Sequence, residues 1–175
     1  MGLDRLWAGW RSDYVTGAAA TPDAVAASEE GCVLCRLVAA ADDAEALVLE
    51  RTEQTITVMN LYPYGSGHLM TAPVRHVAGL DDLDDEEAVA LTRAQIRAIR
   101  AIRSAYAPDG INLGANLGRA AGAGVPGHVH LHVLPRWSGD TNFVTTVAEV
   151  RVLPESLPDG YKKLQRAWPQ DSGRP

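Results

Sequence analysis

The hydrophobic pattern of the chain changes period along its length. Five short runs are apolar or alternate apolar with polar residues, which predicts strands because successive side chains of a strand point to opposite faces. These runs occupy residues 46–50, 55–60, 68–73, 111–117 and 128–135. Turn sequences lie between them, such as Tyr-Pro-Tyr-Gly-Ser-Gly at residues 62–67 after the second run. Consecutive strands joined in this way are typical of an antiparallel sheet.

A helical repeat interrupts the strands from Asp84 or Asp85 to Tyr106. Acidic residues fill its first turn, which favours a helix N-terminus, and a Pro-Asp-Gly sequence follows its last turn. Its apolar stripe consists of Leu91, Ile99, Ile102 and Tyr106. A shorter amphipathic pattern covers residues 160–168. The order of elements predicts an α+β fold, a five-stranded antiparallel sheet with one long helix and a short C-terminal helix.

Length and charge narrow the class of protein. The chain of 175 residues suits one globular domain, with 46% apolar and 22% charged residues. A net charge of -6 argues against a nucleic-acid partner bound through the overall field. No run reaches the roughly 18 apolar residues of a membrane span, and the N-terminus lacks the apolar core of a secretory signal. We therefore expect a cytoplasmic protein without membrane or nucleic-acid partners.

Three histidines alternate with apolar residues in the last predicted strand. His128, His130 and His132 share one face of it, and the valines and leucine beside them share the other. The outer two lie about 13 Å apart along a straight strand, so one metal ion can hardly hold all three. We expect them to divide their tasks. A neutral imidazole can attack phosphorus near neutral pH, and a charged one stabilises phosphate oxygens.

A glycine-rich loop directly precedes the histidine strand. Residues 118–124 read Gly-Arg-Ala-Ala-Gly-Ala-Gly, and such a loop can bring backbone N–H groups close to phosphate. Two other interpretations of the histidines stay open at this point. They could decorate a sheet surface, or a His-x-His pair could hold a catalytic metal.

The sequence contains two cysteines, Cys32 and Cys35, which form one Cys-x-x-Cys pair. In a chain with intracellular character, metal ligation or redox chemistry is a better interpretation than a structural disulfide. Two thiolates leave a tetrahedral zinc ion in need of two more ligands, for which imidazoles are suited. Reduced thiols in the core and a redox switch are the alternatives.

The run from His128 to Arg136 resembles the His-φ-His-φ-His-φ-φ signature of the histidine-triad superfamily, where φ is apolar. Asn60, followed eight residues later by His68, is similar to the ribose-contacting strand and turn of that family. Asn116 resembles its phosphate-contacting position. Residues 6–14 and 136–143 resemble the branch that contains diadenosine polyphosphate hydrolases and phosphorylases. The resemblance covers nearly the whole chain.

The resemblance implies a covalent mechanism in two steps. His130, the middle histidine, attacks the α-phosphorus and forms a nucleotidyl-histidine, which water or phosphate then resolves. His132 binds phosphate oxygens and helps the leaving group to depart, and Asn116 assists from the neighbouring strand. No metal is required for this chemistry, because preorganised donors stabilise the developing charge.

The same resemblance implies a nucleotide pocket in which Asn60 holds the ribose. The further substrate-binding residues that we expect are His68, Gly122, Gly124 and Trp137. Many relatives have a polar residue that touches phosphate at position 124, so a backbone N–H group or another side chain must replace it here. His68 is expected to shape the pocket or to pack behind the turn.

Relatives with the cysteine pair complete a zinc site with a histidine after the third strand and the first histidine of the triad. His76 and His128 match these positions. The implied Cys32, Cys35, His76 and His128 site has four protein ligands, so the zinc would be structural. Two subunits are expected to pair into a homodimer with a continuous sheet, and a higher oligomer stays open.

We expect three segments: a Trp-rich N-terminal segment and loop at 1–31, the histidine-triad domain at 32–143 and a C-terminal extension at 144–175. The leading functional hypothesis is a hydrolase of dinucleoside polyphosphates or related nucleoside phosphoanhydrides. The close alternative is a phosphorylase, in which inorganic phosphate replaces water as the acceptor. A third reading is a nucleotide-binding regulatory protein with little turnover.

Overall fold

The computed structural model describes residues 30–140 and 154–170. The predicted Trp-rich segment at 1–31 therefore lies almost entirely outside the described residues. The described ranges contain, in order, α1 (Val33–Ala39), β1 (Val48–Arg51), β2 (Thr55–Met59), β3 (Leu69–Pro73), α2 (Asp85–Tyr106), β4 (Gly110–Ala115), β5 (Leu131–Arg136) and α3 (Leu157–Ala167). Two short 3-10 turns, Leu80–Asp82 and Arg119–Ala121, precede α2 and follow β4.

The five strands form one antiparallel sheet in the order β1-β2-β3-β5-β4. The first three form a meander, with Ile56 of β2 opposite Ala72 of β3. The last strand, β5, lies between β3 and β4, so that His132 is opposite Met70 on one side and Gly114 on the other. The predicted α+β fold, with one long helix and a short C-terminal helix, is confirmed.

Helices α2 and α3 cover one face of the sheet. Leu69 and Val133 of the sheet are fully buried in one core cluster with Ala98 and Ile102 of α2 and Leu164 of α3. Alanines on the inner face of α2 let the helix approach the strands closely. No helix in the described ranges has both the length and the apolarity that a membrane crossing requires.

The opposite face of the sheet packs against α1, a seven-residue helix that the sequence pattern did not predict. Its Leu34 is buried with Ile56 and Val58 of β2. The helix has no side-chain cap at its N-terminus and no acidic residue in its first turn. Arg51 of β1 stabilises the other end by donating to three main-chain carbonyls, those of Leu37, Val38 and Ala40.

The long helix α2 begins where its sequence predicts. The Asp84 side chain accepts a hydrogen bond from the Glu87 N–H, and the Glu87 carboxylate accepts one from the Asp84 N–H, which satisfies two donors at the helix start. Arg75, just after β3, forms a two-pronged ion pair with the same carboxylate at 2.6 and 2.7 Å. The helix ends at Tyr106, and the capping residue Ala107 takes the left-handed conformation with φ 43°.

One predicted boundary is wrong at a position that matters for function. The sequence pattern predicts a strand from residue 128, whereas β5 begins at Leu131. The ladder pairs of β5 with both neighbours end at that residue. The segment before it is held in a different way, because the Val129 N–H donates to the Val77 carbonyl at 2.7 Å. The first two histidines of the triad therefore precede the regular strand.

Candidate active site and metal centre

The structure divides the three triad histidines into two groups. The rings of His130 and His132 lie edge to face, with centroids 5.1 Å apart. The ring of His128 lies instead against His76, with centroids 5.0 Å apart. One pair of histidines is thus available to a substrate, and the other belongs to a cluster with the two cysteines.

His130 is buried, and its ring is oriented by its own segment of chain. Its Nδ1 lies 2.9 Å from the main-chain carbonyl oxygen of His128. A carbonyl oxygen can only accept a hydrogen bond, so Nδ1 carries the proton and donates. In the neutral ring Nε2 then has the lone pair. This is the tautomer that an attack by Nε2 on phosphorus requires.

A hydrogen bond from His68 fixes the ring of His132. Nδ1 of His68 accepts from the Tyr64 N–H at 3.0 Å and lies 3.4 Å from the Asn60 amide nitrogen. Both partners are donors, so the proton of neutral His68 is on Nε2. That Nε2 lies 2.9 Å from Nδ1 of His132 and donates to it. Neutral His132 consequently carries its proton on Nε2.

The protonation of His132 also depends on burial. Burial lowers the pKa of His132 below its ordinary value, and the charge of nearby His130 lowers it further. His68 itself is fully buried and donates its ring hydrogen bond to His132, and its role in nucleotide binding stays a prediction. The tilted ring of Tyr64 lies beside both, 4.6 Å from His68 and 5.5 Å from His132 between centroids.

The two predicted asparagines lie at the ends of different strands. Asn60 follows β2 and is held by the Tyr62 N–H, which donates to its Oδ1 at 2.9 Å. Asn116 follows β4, and its amide nitrogen donates to the carbonyl of Gly122 at 3.4 Å. Asn116 therefore contacts the glycine-rich loop that leads to the histidine segment.

Some backbone N–H groups of the glycine-rich loop form hydrogen bonds within the loop itself. Gly122 adopts a positive φ of 91°, which glycine tolerates, and its N–H donates to the Arg119 carbonyl at 2.8 Å. A contact of this N–H with phosphate, as the sequence predicts, requires that bond to be replaced. Gly124 is exposed, and the space beside its Cα is open.

Trp137, predicted to bind substrate, lies just after β5. Its ring packs edge to face against Tyr106 at the end of α2, with centroids 6.1 Å apart. The main-chain N–H of Trp137 donates to the Asp140 carboxylate at 3.0 Å. A role in binding stays a prediction.

Cys32, Cys35, His76 and His128 form a potential metal site on the α1 side of the sheet. One ligand atom from each lies within 4.8 Å of all the others. Nδ1 of His128 lies 3.4 Å from both sulfurs, and Nδ1 of His76 lies 3.2 Å from that of Cys35. Sulfur and nitrogen ligands of one tetrahedral zinc ion lie about 3.5 Å apart, so the spacing fits.

The orientation of His128 supports metal binding as well. Its Nε2 lies 2.9 Å from the Pro73 carbonyl oxygen and must donate to it. This hydrogen bond leaves Nδ1 unprotonated and directed at the two sulfurs, as a ligand nitrogen must be. When bound, zinc supplies a cross-link between α1, the segment after β3 and the segment before β5.

The position of Tyr64 is a feature of the site that the sequence does not predict. The sequence pattern predicts the turn after β2, but it does not indicate that Tyr64 in this turn lies beside the histidines. The signal is present in retrospect, since an aromatic residue four positions before His68 can face it across a tight turn.

Comparison with known proteins agrees with this fold. A family model described as the HIT domain matches residues 41–139. The chain is 38% identical to an AP-4-A phosphorylase of Mycobacterium tuberculosis over 166 residues, which cover 95% of this chain and 85% of the relative. It therefore belongs to the HIT domain family.

Two further similarities concern the metal centre and the reaction. A Zn-bound histidine triad family protein from Mycobacterium smegmatis is 29% identical with a TM-score of 0.65, over 80% of this chain and 94% of that protein. An asymmetrical bis(5'-nucleosyl)-tetraphosphatase of Schizosaccharomyces pombe is 33% identical over 53% of this chain and 50% of that protein.

Proposed function

We propose that this protein is a nucleotidyl-transferring enzyme that splits a dinucleoside polyphosphate by phosphorolysis, with His130 as the nucleophile. The observation that carries the proposal is the hydrogen bond from His130 Nδ1 to the His128 carbonyl at 2.9 Å. It presents an unprotonated Nε2 without the help of a separate base. The chain is therefore proposed to bind a nucleotide and to act on it, rather than only to bind it.

In the first step, Nε2 of His130 attacks the α-phosphorus and forms a P–N bond. The bond from that phosphorus to the bridging oxygen breaks, and the remaining polyphosphate departs with the electron pair. The Nε2–H of neutral His132 donates a hydrogen bond to the departing oxygen and stabilises its charge, and the hydrogen bond from His68 keeps that proton in place. Asn116 and the glycine-rich loop are proposed to hold the phosphate oxygens, and Asn60 the ribose.

In the second step, an oxygen of inorganic phosphate attacks the same phosphorus, and the P–N bond breaks. With diadenosine tetraphosphate, the leaving group of the first step is ATP and the product of the second is ADP. The choice of phosphate rests on the similarity to the M. tuberculosis phosphorylase, which extends over 95% of this chain. We therefore propose phosphorolysis ahead of hydrolysis, which is the leading hypothesis from the sequence alone.

Hydrolysis is the second candidate, because the chain is also similar to the S. pombe tetraphosphatase over 53% of its length. Water would then resolve the nucleotidyl-histidine and release AMP. The two reactions share the first step and the same histidines. They differ only in the acceptor, so the products tell them apart.

The test is incubation with diadenosine tetraphosphate, with and without inorganic phosphate, followed by chromatography of the nucleotides. We expect ADP and ATP, formed only when phosphate is present. AMP and ATP at equal rates with and without phosphate would identify a hydrolase. Very slow turnover of every phosphoanhydride and phosphoramidate tested would favour the regulatory, nucleotide-binding alternative.

Intact-protein mass spectrometry tests the nucleophile separately. A brief quench without acid, in the absence of phosphate, should trap a nucleotidyl adduct on the wild type and none on His130→Ala. Equal turnover in both proteins, with no adduct, would refute the proposed mechanism.

A further inference from the structure

The segment that carries the proposed nucleophile is held by few main-chain pairs. The ladder of β5 ends at Leu131, and the Val129 N–H makes one hydrogen bond to the loop after β3. The position of His130 must therefore depend on contacts made by its neighbours. The most extensive of these contacts belong to His128.

The His128 ring is fully buried and is held at both of its nitrogens. Nε2 donates to the Pro73 carbonyl at the end of β3, over 2.9 Å. Nδ1 faces the sulfurs of Cys32 and Cys35, at 3.4 Å from each. The ring thus spans the distance between the sheet and the metal centre.

The main chain of the same residue reaches the proposed nucleophile. The His128 carbonyl oxygen accepts the hydrogen bond from His130 Nδ1. One residue therefore contacts the metal centre through its side chain and orients the reacting ring through its backbone. An ion at the centre fixes the side chain, and the fixed side chain limits how far the carbonyl can move.

We infer that His128 is a positioning residue, through which the metal centre holds His130 in line for attack. The inference rests on the proposed function in one respect, that His130 is the nucleophile. The metal takes no part in bond making or breaking. Its effect on the reaction passes through the His128 backbone and adds to its effect on stability.

Metal removal should accordingly act on the rate of the first step and leave nucleotide affinity nearly unchanged. A misplacement of about 1 Å at a reacting atom costs up to about 100-fold in rate. Without metal, the His128 carbonyl still accepts the hydrogen bond from His130, but its position is less well fixed. We therefore expect formation of the nucleotidyl adduct to slow by at least about tenfold. The Kd should stay within about twofold, because Asn60 follows the end of β2, whereas His128 contacts Pro73, which pairs with Thr55 at the start of that strand.

The first experiment compares metal-loaded protein with chelated protein, at a temperature where circular dichroism shows both folded. Rapid-quench mass spectrometry measures adduct formation, and calorimetry with a non-cleavable dinucleotide measures the Kd. Diethylpyrocarbonate provides a readout other than activity, since the buried His130 should be labelled faster once its anchor is loose. Metal content is measured on the same samples.

Leu164→Ala provides a matched control for lost stability. This leucine is fully buried in the core on the opposite face of the sheet. Its truncation should lower the Tm and leave adduct formation at the wild-type rate. A slow metal-free protein beside a normal Leu164→Ala protein assigns the effect to the metal centre rather than to general destabilisation.

His128→Cys tests the same inference with the metal present, in case the chelated protein unfolds. Three thiolates and one imidazole still form a tetrahedral site, so we expect bound metal and a folded protein. The shorter side chain lacks the hydrogen bond to Pro73 and must draw the backbone toward the metal. Adduct formation should slow by about tenfold or more, as for metal removal.

The experiments distinguish failure of the inference about His128 from failure of the proposed function. An adduct that forms at the wild-type rate in chelated protein or in metal-loaded His128→Cys would overturn the inference and leave His130 as the nucleophile. Absence of an adduct even in the metal-loaded wild type would refute the proposed function, and the inference with it. Slow adduct formation with unchanged Kd is the supporting result.

Discussion

Replacing His68 by alanine removes the partner that determines which nitrogen of His132 carries the proton. Nε2 of His68 donates to Nδ1 of His132 at 2.9 Å, and Nδ1 of His68 accepts from the Tyr64 N–H at 3.0 Å. Without this chain of bonds, the proton of neutral His132 can occupy either nitrogen. The fraction of enzyme with a donor at the leaving group then falls, and the ring is free to rotate.

The expected loss of rate follows from what an oriented hydrogen-bond donor contributes. Removal of one donor that stabilises a developing charge costs roughly 10²- to 10³-fold, and the variant loses the orientation of His132 but keeps the ring. We therefore expect about a 100-fold slower first step, equivalent to about 2.7 kcal/mol in the barrier. His68→Gln is the matched variant, since an amide can accept from the Tyr64 N–H and donate to His132. It should recover a substantial part of the rate.

The assay compares two leaving groups on the same adenylyl group. A phosphoramidate of AMP has a strongly basic leaving group that depends on the hydrogen bond from His132, whereas the p-nitrophenyl ester releases a stabilised phenolate that depends on it little. His68→Ala should slow the first substrate by about 100-fold and the second by less than about fivefold. Truncating a fully buried ring also costs about 2–4 kcal/mol of stability, so rates are measured well below the Tm. Equal slowing of both substrates would show that His68 acts by general packing and would refute the relay.

Two further predictions concern stability. The hydrogen bond from Arg75 lowers the pKa of Glu87 from 4.5 to about 2, so the ion pair stabilises the fold above pH 4.5 and this contribution is lost as the pH falls toward 2. Because the Arg75 side chain is half exposed, we expect Glu87→Gln to lower the free energy of unfolding by about 1–2 kcal/mol at pH 7. Most of this difference should disappear near pH 2, as urea titrations would show, and a pH-independent difference would contradict the ion pair as its cause. Gly67 has φ 73°, and a Cβ there would lie 2.7 Å from the Tyr106 ring, so Gly67→Ala should cost about 2–4 kcal/mol in the same assay. Gly65→Ala, where a Cβ meets only Leu134 at 3.6 Å, is the control and should be nearly neutral.

The sequence predicts most of the fold because its signals are local. The acidic first turn and apolar stripe of α2 fix that helix, which runs from Asp85 as expected. The alternating strands are placed to within about three residues, as is normal for such patterns. The cysteine pair and its two histidines also come together as the family resemblance implies.

What the sequence misses depends on contacts between distant parts of the chain. Helix α1 is short and poorly capped, and its end is stabilised by Arg51 from a strand 11 to 14 residues away. The late start of β5 has a similar origin, because its alternating pattern continues through His128 and His130. That segment is fixed by bonds to the loop after β3 and by the metal ligands. No local pattern reveals this.

The link between His68 and His132 is likewise invisible in the sequence, since 64 residues separate them. Only the pairing of β3 with β5 brings the two rings together, with Met70 opposite His132. Tyr64 joins them because the turn before β3 folds back over the sheet. Individual residue types indicate chemistry here, and tertiary structure determines which of them act as a unit.

The position of β5 in the sheet has a consequence for how the chain folds. Its interior place, between β3 and β4, is the last of the five strand positions to be filled in sequence order. Until residues 128–136 are in place, β3 and β4 are two separated edges without a common partner, and the Cys-x-x-Cys pair has only one of its two imidazole partners. We therefore expect most of the sheet to form in one late, cooperative step, because β5 pairs with strands that are distant in sequence. A fragment that ends before β5 would be an open, aggregation-prone meander rather than a smaller version of the domain.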